Sequence, residues 1–442
     1  LKINKTLIFL VLALTSKTLI FAQTFIDESF NNLLRTENGG WVAGDATYSI
    51  SLPNGNTLWL FGDSFIGTVN EDNSLAPGAK MIRNCAVLQQ GEQLIAKYGG
   101  TFENPIDFLQ TNTADSTWFW PEHGIVENDT LKIFMSEFGT NDGNPGWNFE
   151  FRNTCLAFFT YPELEFINYV QLPYYNNNGV MYGDQILTEG NYTYIFGRKE
   201  ENGNVPYAHI ARTIKGNLMG NWEFFSGVAW LNDATDSRRI TSQPVSQQYG
   251  VVAIENKFVL ITQEIWLGSK VYSLTANHPE GPWGNQKIIY NTPKPFPNML
   301  TYNSFPHPQF NIDNTLLISY NSNGNFAQIF KNVELYRPRF IRVPFSEIDD
   351  DFSPSSITQN EVFNLTNCFP NPANQRITFS FSLQQADYVN LRIYNLMGTE
   401  VIKYNNKWFE KGNNQIEIEL LNLPKGTYFY QIIGKSGWFL HN

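Results

Sequence analysis

The chain has 442 residues, with 41 acidic and 30 basic side chains and a net charge of −11. That balance weighs against nucleic acid or anionic lipid as a partner, because phosphate binding needs clustered Lys and Arg, and a composition 42% hydrophobic and 16% charged excludes a disordered chain. Thirty-five Phe, 21 Tyr and 11 Trp beside 32 Gly and 22 Pro favour strands and turns over long helices, and the length suits two or three domains.

Residues 1–22 place Lys2 and Lys5 before the apolar stretch TLIFLVLAL (6–14) and reach Ala22 just before Gln23, the pattern of a secretory signal peptide. Lys17 interrupts the second apolar run, which makes the segment a poor membrane span; a short uncleaved anchor is the alternative. No later stretch approaches the roughly 18 consecutive apolar residues of a spanning helix, so no transmembrane anchor is expected and the rest of the chain is expected to work outside the cytoplasm. Cys85, Cys155 and Cys368 are too few and too scattered for a disulfide scaffold or a zinc site. Buried or unpaired thiols are expected, with a Cys85–Cys155 bridge as the alternative.

From Gly40 to Phe345 one pattern recurs: a short strand, a Gly/Asn/Asp turn, then a strongly apolar strand ending on polar residues. The second strands are LWLFGD (58–63), LKIFMSE (131–137), YTYIFGR (192–198), FVLITQE (258–264) and LLISYN (316–321), whose starts lie 73, 61, 66 and 58 residues apart. An all-strand repeat of that length predicts propeller blades. The expected fold class is all-β, a five-bladed β-propeller over residues 23–345. A β-sandwich is the competing arrangement, but it would not need one motif five times.

The turns predict which polar residues share an end. A turn at Asn54-Gly55 sets Asp63 opposite Ala46 and Asp45 opposite Ser64, bringing the two aspartates within a residue of register. Turns at Asn128-Asp129, Gly190-Asn191 and Asp313-Asn314 likewise bring Glu122 near Glu137, Asp184 near Arg198, and His307 near Asn321, while Glu264 closes its strand opposite Ser246-Gln247-Gln248. Blades deliver all these ends to one face, so Asp45, Asp63, Glu122, Glu137, Asp184, Arg198, Glu264 and His307 are expected to crowd one funnel. Carboxylates at unequal burial acquire unequal proton affinities, as glycoside hydrolysis requires; Arg198 or His307 would tune them. Trp41, Trp118, Trp120, Tyr182 and Trp266 are candidates to stack on sugar rings, with core packing the competing role for each. An aspartate at a strand end also caps turns, the structural alternative for Asp45 and Asp63. No GxSxG elbow and no phosphate loop are present.

Residues 346–360, with SEIDDDFSPSSITQN at their heart, read as an exposed linker. A calcium site at Asp349, Asp350 and Asp351 competes with a solvated acidic run, since no ligand-spaced Gly and Glu follow. Beyond it RITFSFSL, YVNLRIYNL, NQIEIELLNL and GTYFYQII, with turns at Met397-Gly398 and Lys425-Gly426, predict a small Ig-like β-sandwich over 361–442.

Two resemblances add to this reading. FPNPA (369–373), VNLRIYNLMGTEV (389–401) and LPKGTYFYQI (423–432) resemble the C-terminal sorting domain read by the type IX secretion system. That likeness implies export to the outside or outer surface of a Gram-negative cell, a partner in the secretion machinery, and no catalysis in this segment. The closing GKSGWFLHN departs from the commoner basic ending, which bears on processing. WVAGDATYSISLPNGNTLWLFGDSFIG (41–67), WFWPEHG (118–124), HPEGPW (278–283) and NSFPHPQF (303–310) look like a bacterial five-bladed propeller family that includes endo-D-arabinanases acting on mycobacterial cell-wall arabinan. What this implies is a furanoside-cleaving hydrolase with Asp45 and Asp63 as the leading catalytic candidates. Joined to the reading of the residues, the expectation is a hydrolase of a polysaccharide or oligosaccharide with Asp45 as base, Asp63 as its partner or the acid, Glu122 and Asp184 completing the acid/base set, and His307 and Arg198 orienting substrate or tuning the acids. Trp41, Trp120, Glu137, Arg198, Glu264 and His307 are then the expected substrate contacts. No catalytic metal or cofactor is expected, while a structural calcium ion is permitted. A noncatalytic carbohydrate-binding propeller, or an adhesin using the rim, are the readings from other classes.

Overall fold

The computed structural model describes residues 23–352 except 38, 113–115, 142–147 and 295–298, and residues 363–441 except 384–385, 395–399, 421–422, 425 and 435–436. The expected signal peptide and the expected turn at Met397-Gly398 lie outside the described residues. The chain divides into two compact units, Leu1–Ser353 and Pro354–Asn442, and both are built of strands. No helix among the described residues is long and apolar enough to cross a membrane.

The described part of the first unit holds five sheets of four or five antiparallel strands. Sheet one runs Tyr48–Ser51, Thr57–Phe61, Cys85–Gln90, Gln93–Lys97. Sheet two comprises Thr117–Glu127, Thr130–Thr140, Phe149–Thr160 and Phe166–Gln171. Sheet three opens on Met181–Glu189 and Tyr192–Glu201, sheet four on Gly250–Ile254 and Lys257–Gln263, and sheet five on Leu300–Pro306 and Thr315–Asn323. The outermost strand of sheet five comes from the other end of the unit: Phe25–Ile26 pairs with Arg339–Pro344. The five repeated hairpins thus become the first two strands of five sheets, a β-propeller arrangement.

Hydrophobicity on both faces explains why the sheets stack. In Thr57–Phe61 every residue is buried, because alternate side chains enter different clusters. Leu58 and Leu60 meet Phe119, Ile133 and Met135 of sheet two, whereas Trp59 and Phe61 join Leu317 and Phe340 of sheet five. Each buried large side chain of this kind contributes about 2 kcal/mol. Similar seams join sheets two and three around Phe134, Ile186 and Trp222, three and four around Phe196, Val251 and Leu260, and four and five around Val252, Ile261 and Ile318. Sheet five returns onto sheet one, with the Tyr48 and Phe305 rings 4.7 Å apart.

The C-terminal unit has two sheets, one of Phe363–Phe369, Arg376–Leu383 and Gly412–Glu419, the other of Glu400–Phe409, Asp387–Tyr394, Phe429–Gly434 and Gly437–His441. Period-two alternation sends Phe379, Phe381, Val389, Leu391, Ile416 and Ile432 into one shared core, which makes it a β-sandwich.

One expectation is corrected here. The start of the expected linker is packed, not exposed: Phe345–Ile348 is a short helix, and Ile348 and Phe352 are 0% and 1% exposed in the core between sheets four and five. The acidic run is neutralised by lysines, Asp349 and Asp351 each 2.7 Å from Lys257 Nζ and Asp350 2.6 Å from Lys287 Nζ. Asp349 is thus buried on its lysine, while the Asp350 and Asp351 side chains stay solvated at 90% and 80% exposure, as a solvated run requires, and no acidic, His or Cys cluster suited to a metal ion occurs among the described residues. Residues 353–360, the rest of the expected linker, lie outside the described ones. Because Phe352 closes this seam, Phe352→Ala is expected to lower the unfolding free energy by about 3 kcal/mol, as read from the urea midpoint of the first unit. A change under 0.5 kcal/mol would show the segment to be a dispensable tail.

Candidate active site

The first hairpin passes beyond its carboxylates. Tyr48–Ser51 pairs with Thr57–Phe61, Tyr48 opposite Leu60, and the same two chain segments pair again as Gly40–Gly44 and Ser64–Gly67, Gly44 opposite Ser64. Asp45 and Asp63 therefore face each other at a break inside one long hairpin, a residue nearer than the expected register. At this break the Asp45 N–H donates to the Asp63 carbonyl at 3.2 Å and the Gly62 N–H to the Asp45 carbonyl at 3.0 Å. Ala46 and Thr47 take φ of 68° and 55°, left-handed values that a β-branched residue rarely adopts and that cost about 1–3 kcal/mol. The kink turns Asp45 towards Asp63. Gly62 permits the approach: a Cβ there would lie 2.6 Å from Asp45 Oδ1 and 3.5 Å from Trp120 Cδ1.

The two carboxyls have unlike partners. Asp63 Oδ1 accepts from Trp120 Nε1 at 3.0 Å, and Arg83 Nη1 reaches both Asp63 oxygens, at 3.3 and 3.1 Å. Asp45 Oδ2 accepts from the Tyr302 hydroxyl at 2.9 Å, and the Tyr336 hydroxyl is a second donor. Burial, followed by the neighbouring Asp63 charge, pushes Asp45 up to about 7, the tyrosines pulling the other way. Burial also raises Asp63, opposed by Arg83 and Trp120. Both side chains keep some contact with solvent, 17% for Asp63, and Trp120 is partly exposed beside them. A pair holding about one proton near neutrality at a solvent-touching break can give and take protons.

Glu122, Asp184 and Arg198 form a second cluster, sealed from solvent. Arg198 lies 2.5 Å from Asp184 Oδ1 and 3.4 Å from Glu122 Oε1, and its Nε donates to Gln247 Oε1 at 3.0 Å. Glu122 also accepts from the Ser136 hydroxyl at 2.7 Å and from the Tyr48 hydroxyl. Asp184 is 0% exposed, and burial holds its carboxyl well above the usual range despite Arg198. Side chains from sheets two and three and from the approach to sheet four thus meet on one guanidinium, and Tyr48 of sheet one joins them through Glu122. Gln248 continues the connection by donating to the Ala46 carbonyl in the Asp45 break. This cluster ties the inner strands of sheets two and three to one another.

The pairing of Asp184 with Arg198 follows the expected turn. The other expected funnel residues disperse, because the inner strands are bulged. A register shift between Pro121 and Gly124 puts Phe119, not Glu122, opposite Glu137, and Glu137 is buried with Gln171 Nε2 at 3.2 Å on the outer strands. Glu264 pairs with Lys270 at 3.2 Å in a partly exposed loop. The short helical turn Pro308–Phe310 sits between His307 and the expected hairpin turn, so the His307 N–H donates to the Leu317 carbonyl and the residue does not lie beside Asn321: it is 0% exposed, with Nδ1 2.6 Å from the Ser49 hydroxyl and Nε2 2.9 Å from that of Ser319. Burial drives its proton affinity well below normal, so it is a neutral tie between sheets five and one, not a substrate contact. Trp41 is 2% exposed and stacked 4.3 Å from Phe61, hence core. Tyr182 is also buried, while Trp266 is 68% exposed.

Arg83, Tyr302, Tyr336 and Tyr48 were not legible as site residues. Arg83 follows the strand Lys80–Ile82, which pairs with Ser64–Gly67 outside the repeated hairpins. The tyrosines sit in or beside ordinary apolar runs. The paired GD of one hairpin pointed only to the carboxylates they serve.

A solved structure of a hydrolase candidate from Bacteroides ovatus is similar, at 21% sequence identity and a TM-score of 0.64, over 75% of this chain and 93% of that one. That likeness shows a shared fold. More loosely similar are an exo-β-1,3-galactanase from Phanerochaete chrysosporium, 12% identical with a TM-score of 0.40 over 90% of this chain and 96% of that one, and an α-L-arabinofuranosidase from Podospora anserina, 10% identical with a TM-score of 0.38 over 69% and 91%. None of the curated proteins matches the chain. Residues 367–439 match the secretion system C-terminal sorting domain, in agreement with the motifs of the final 80 or so residues. Residues 27–364, most of the chain, match the family described as domain of unknown function DUF5005, and the protein therefore belongs to that family and carries a secretion sorting domain behind it.

Proposed function

We propose that the first unit is a secreted glycoside hydrolase cleaving a furanose-containing polysaccharide, with arabinan the leading substrate, and that Asp45 and Asp63 are its catalytic residues. The carrying observation is the pair itself: two carboxyls opposed across one break, one among tyrosine hydroxyls and the other on an arginine and an indole. Hydrolysis of a glycosidic bond needs this inequality. The protonated member gives its proton to the leaving oxygen as the C–O bond breaks, and the ionised member either takes a proton from the attacking water or attacks the anomeric carbon itself. Trp120, fixed by its bond to Asp63 with one face against Phe138 at 4.5 Å, offers a partly exposed ring edge beside the acids. The furanose assignment rests on the sequence resemblance, and the sorting domain supports release or display on the outside of a Gram-negative cell through type IX secretion. Glu122 and Asp184 act in this reading as braces rather than as acid and base.

Asp45→Asn and Asp63→Asn are each expected to lower sugar release from arabinan at least about 100-fold, measured as reducing ends formed by the purified chain. Turnover by both variants at the wild-type rate would remove the pair from the mechanism. Saturable binding of arabinan without any turnover by the wild type would favour a carbohydrate-binding propeller.

Stability offers a separate check. A carboxyl whose folded proton affinity is raised above its unfolded value of about 3.9 favours folding while protonated and loses that contribution as pH climbs towards 7. Asp45→Asn removes the buried charge, so the variant should match the wild type near pH 4 and exceed it by about 2 kcal/mol at pH 8, a figure reduced for partial solvent contact. Thermal unfolding at the two pH values measures this; equal Tm differences at both would show that Asp45 ionises freely.

A further inference from the structure

Arg83 is joined to the catalytic pair on one side only. Its Nη1 bridges both oxygens of Asp63, whereas Asp45 pairs with no cation among the described residues and meets only the neutral hydroxyls of Tyr302 and Tyr336. The arginine is placed by more than this contact. Its guanidinium lies 4.6 Å over the Trp118 ring, and Trp118 packs edge-on at 5.8 Å against Trp120, the other donor to Asp63. Its backbone N–H donates to Asp107 Oδ1 at 2.7 Å. The next residue, Asn84, is buried and bonds the Leu109 N–H at 2.8 Å and the Leu109 and Phe119 carbonyls at 3.0 and 2.9 Å. A turn locked by side-chain hydrogen bonds therefore aims a permanently charged group at one of two adjacent acids.

Among the described residues, four titratable or charged groups face the pair. Arg83 and Asp107 approach Asp63 from the segments after Lys80–Ile82 and Pro105–Ile106. Tyr302 reaches Asp45 from sheet five and Tyr336 from the turn before Arg339–Pro344. Arg83 is the sole cation among them, and it lies between Asp63 and Asp107. Charge-assisted hydrogen bonds favour the ionised acceptor, and two adjacent carboxylates resist ionising together. Fixing the charge on Asp63 therefore leaves the shared proton on Asp45.

We propose that Arg83 is the positioning residue that keeps Asp63 the charged member of the pair and leaves the proton on Asp45, so that Asp63 serves as base or nucleophile and Asp45 as acid. This allocation reverses the one expected from the sequence, and its catalytic half rests on the hydrolase reading. The placement of the proton does not.

The test uses the full chain with Arg83→Gln and Arg83→Lys, each in the wild-type and the Asp63→Asn background. Thermal unfolding followed from pH 4 to pH 9 reads the protonation step of the pair without any substrate. Arg83→Gln should move the midpoint of that step up by about one pH unit, Arg83→Lys should return it towards the wild-type position, and in the Asp63→Asn background neither substitution should move it. An unmoved midpoint in Arg83→Gln, or an equal shift without Asp63, overturns the proposal. With arabinan as probe, the acidic limb of kcat/KM should rise by the same unit in Arg83→Gln and recover in Arg83→Lys. A limb that stays in place while the wild type turns over arabinan overturns the catalytic allocation and leaves the hydrolase reading intact. A shifted thermal step in a protein that cleaves no arabinan supports the proton placement and counts against the hydrolase reading.

Discussion

The candidate site depends on broken inner strands. A regular strand sends successive side chains to opposite faces, and here both faces of each sheet are packed against neighbours, so a carboxylate in an unbroken inner strand would be driven into an apolar seam. The breaks at Asp45–Thr47 and the register shifts between Pro121 and Gly124, Tyr182 and Gln185, and Tyr302 and Phe305 release Asp45, Glu122 and Asp184 from that alternation. Bulges of this kind re-aim side chains beside active sites. The local cost, visible in the left-handed Ala46 and Thr47, is sustained because Trp59, Phe61 and Tyr48 lock the flanking strands into the sheet seams.

The acids released in this way divide into two sorts. Glu122 and Asp184 share Arg198 in a sealed cluster, where a buried ion pair costs heavily in desolvation and is retained only with good geometry and further hydrogen bonds. Those bonds come from Tyr48, Ser136 and Gln247, on different sheets, so the cluster ties the inner strands to one another. Asp45 and Asp63 are partly exposed, Asp63 held by Arg83 and Trp120 and Asp45 by the Tyr302 hydroxyl. The closed cluster ties strands together and the open pair touches solvent, and Gln248, next in the chain to Gln247, donates to the Ala46 carbonyl beside the open pair.

The Asp349–Asp351 run shows how composition misleads at a boundary. Asp350 and Asp351 are solvated as they look, yet Asp349 is buried and Ile348 and Phe352 on either side of the run bury themselves between sheets four and five. Lys257 and Lys287 then neutralise the acids. His307 errs the other way: a histidine at a hairpin end reads as functional, but the helical turn Pro308–Phe310 leaves it between two serine hydroxyls in the seam of sheets one and five.

By itself the sequence determined the all-β class, the five repeated hairpins, the C-terminal sorting segment and the nearness of Asp45 to Asp63, because each is written in local alternation, turn residues or contiguous motifs. The salt bridge of Asp184 with Arg198 was legible for the same reason, since one hairpin carries both. Only the tertiary structure decided that Glu122 joins Arg198 rather than Glu137, that His307 and Trp41 are core, and that Arg83, Tyr302 and Tyr336 attend the acid pair. Those outcomes depend on one-residue bulges and on side chains from separate sheets. A single inserted residue reverses which way every later side chain points, and no periodicity in the chain marks where that insertion falls.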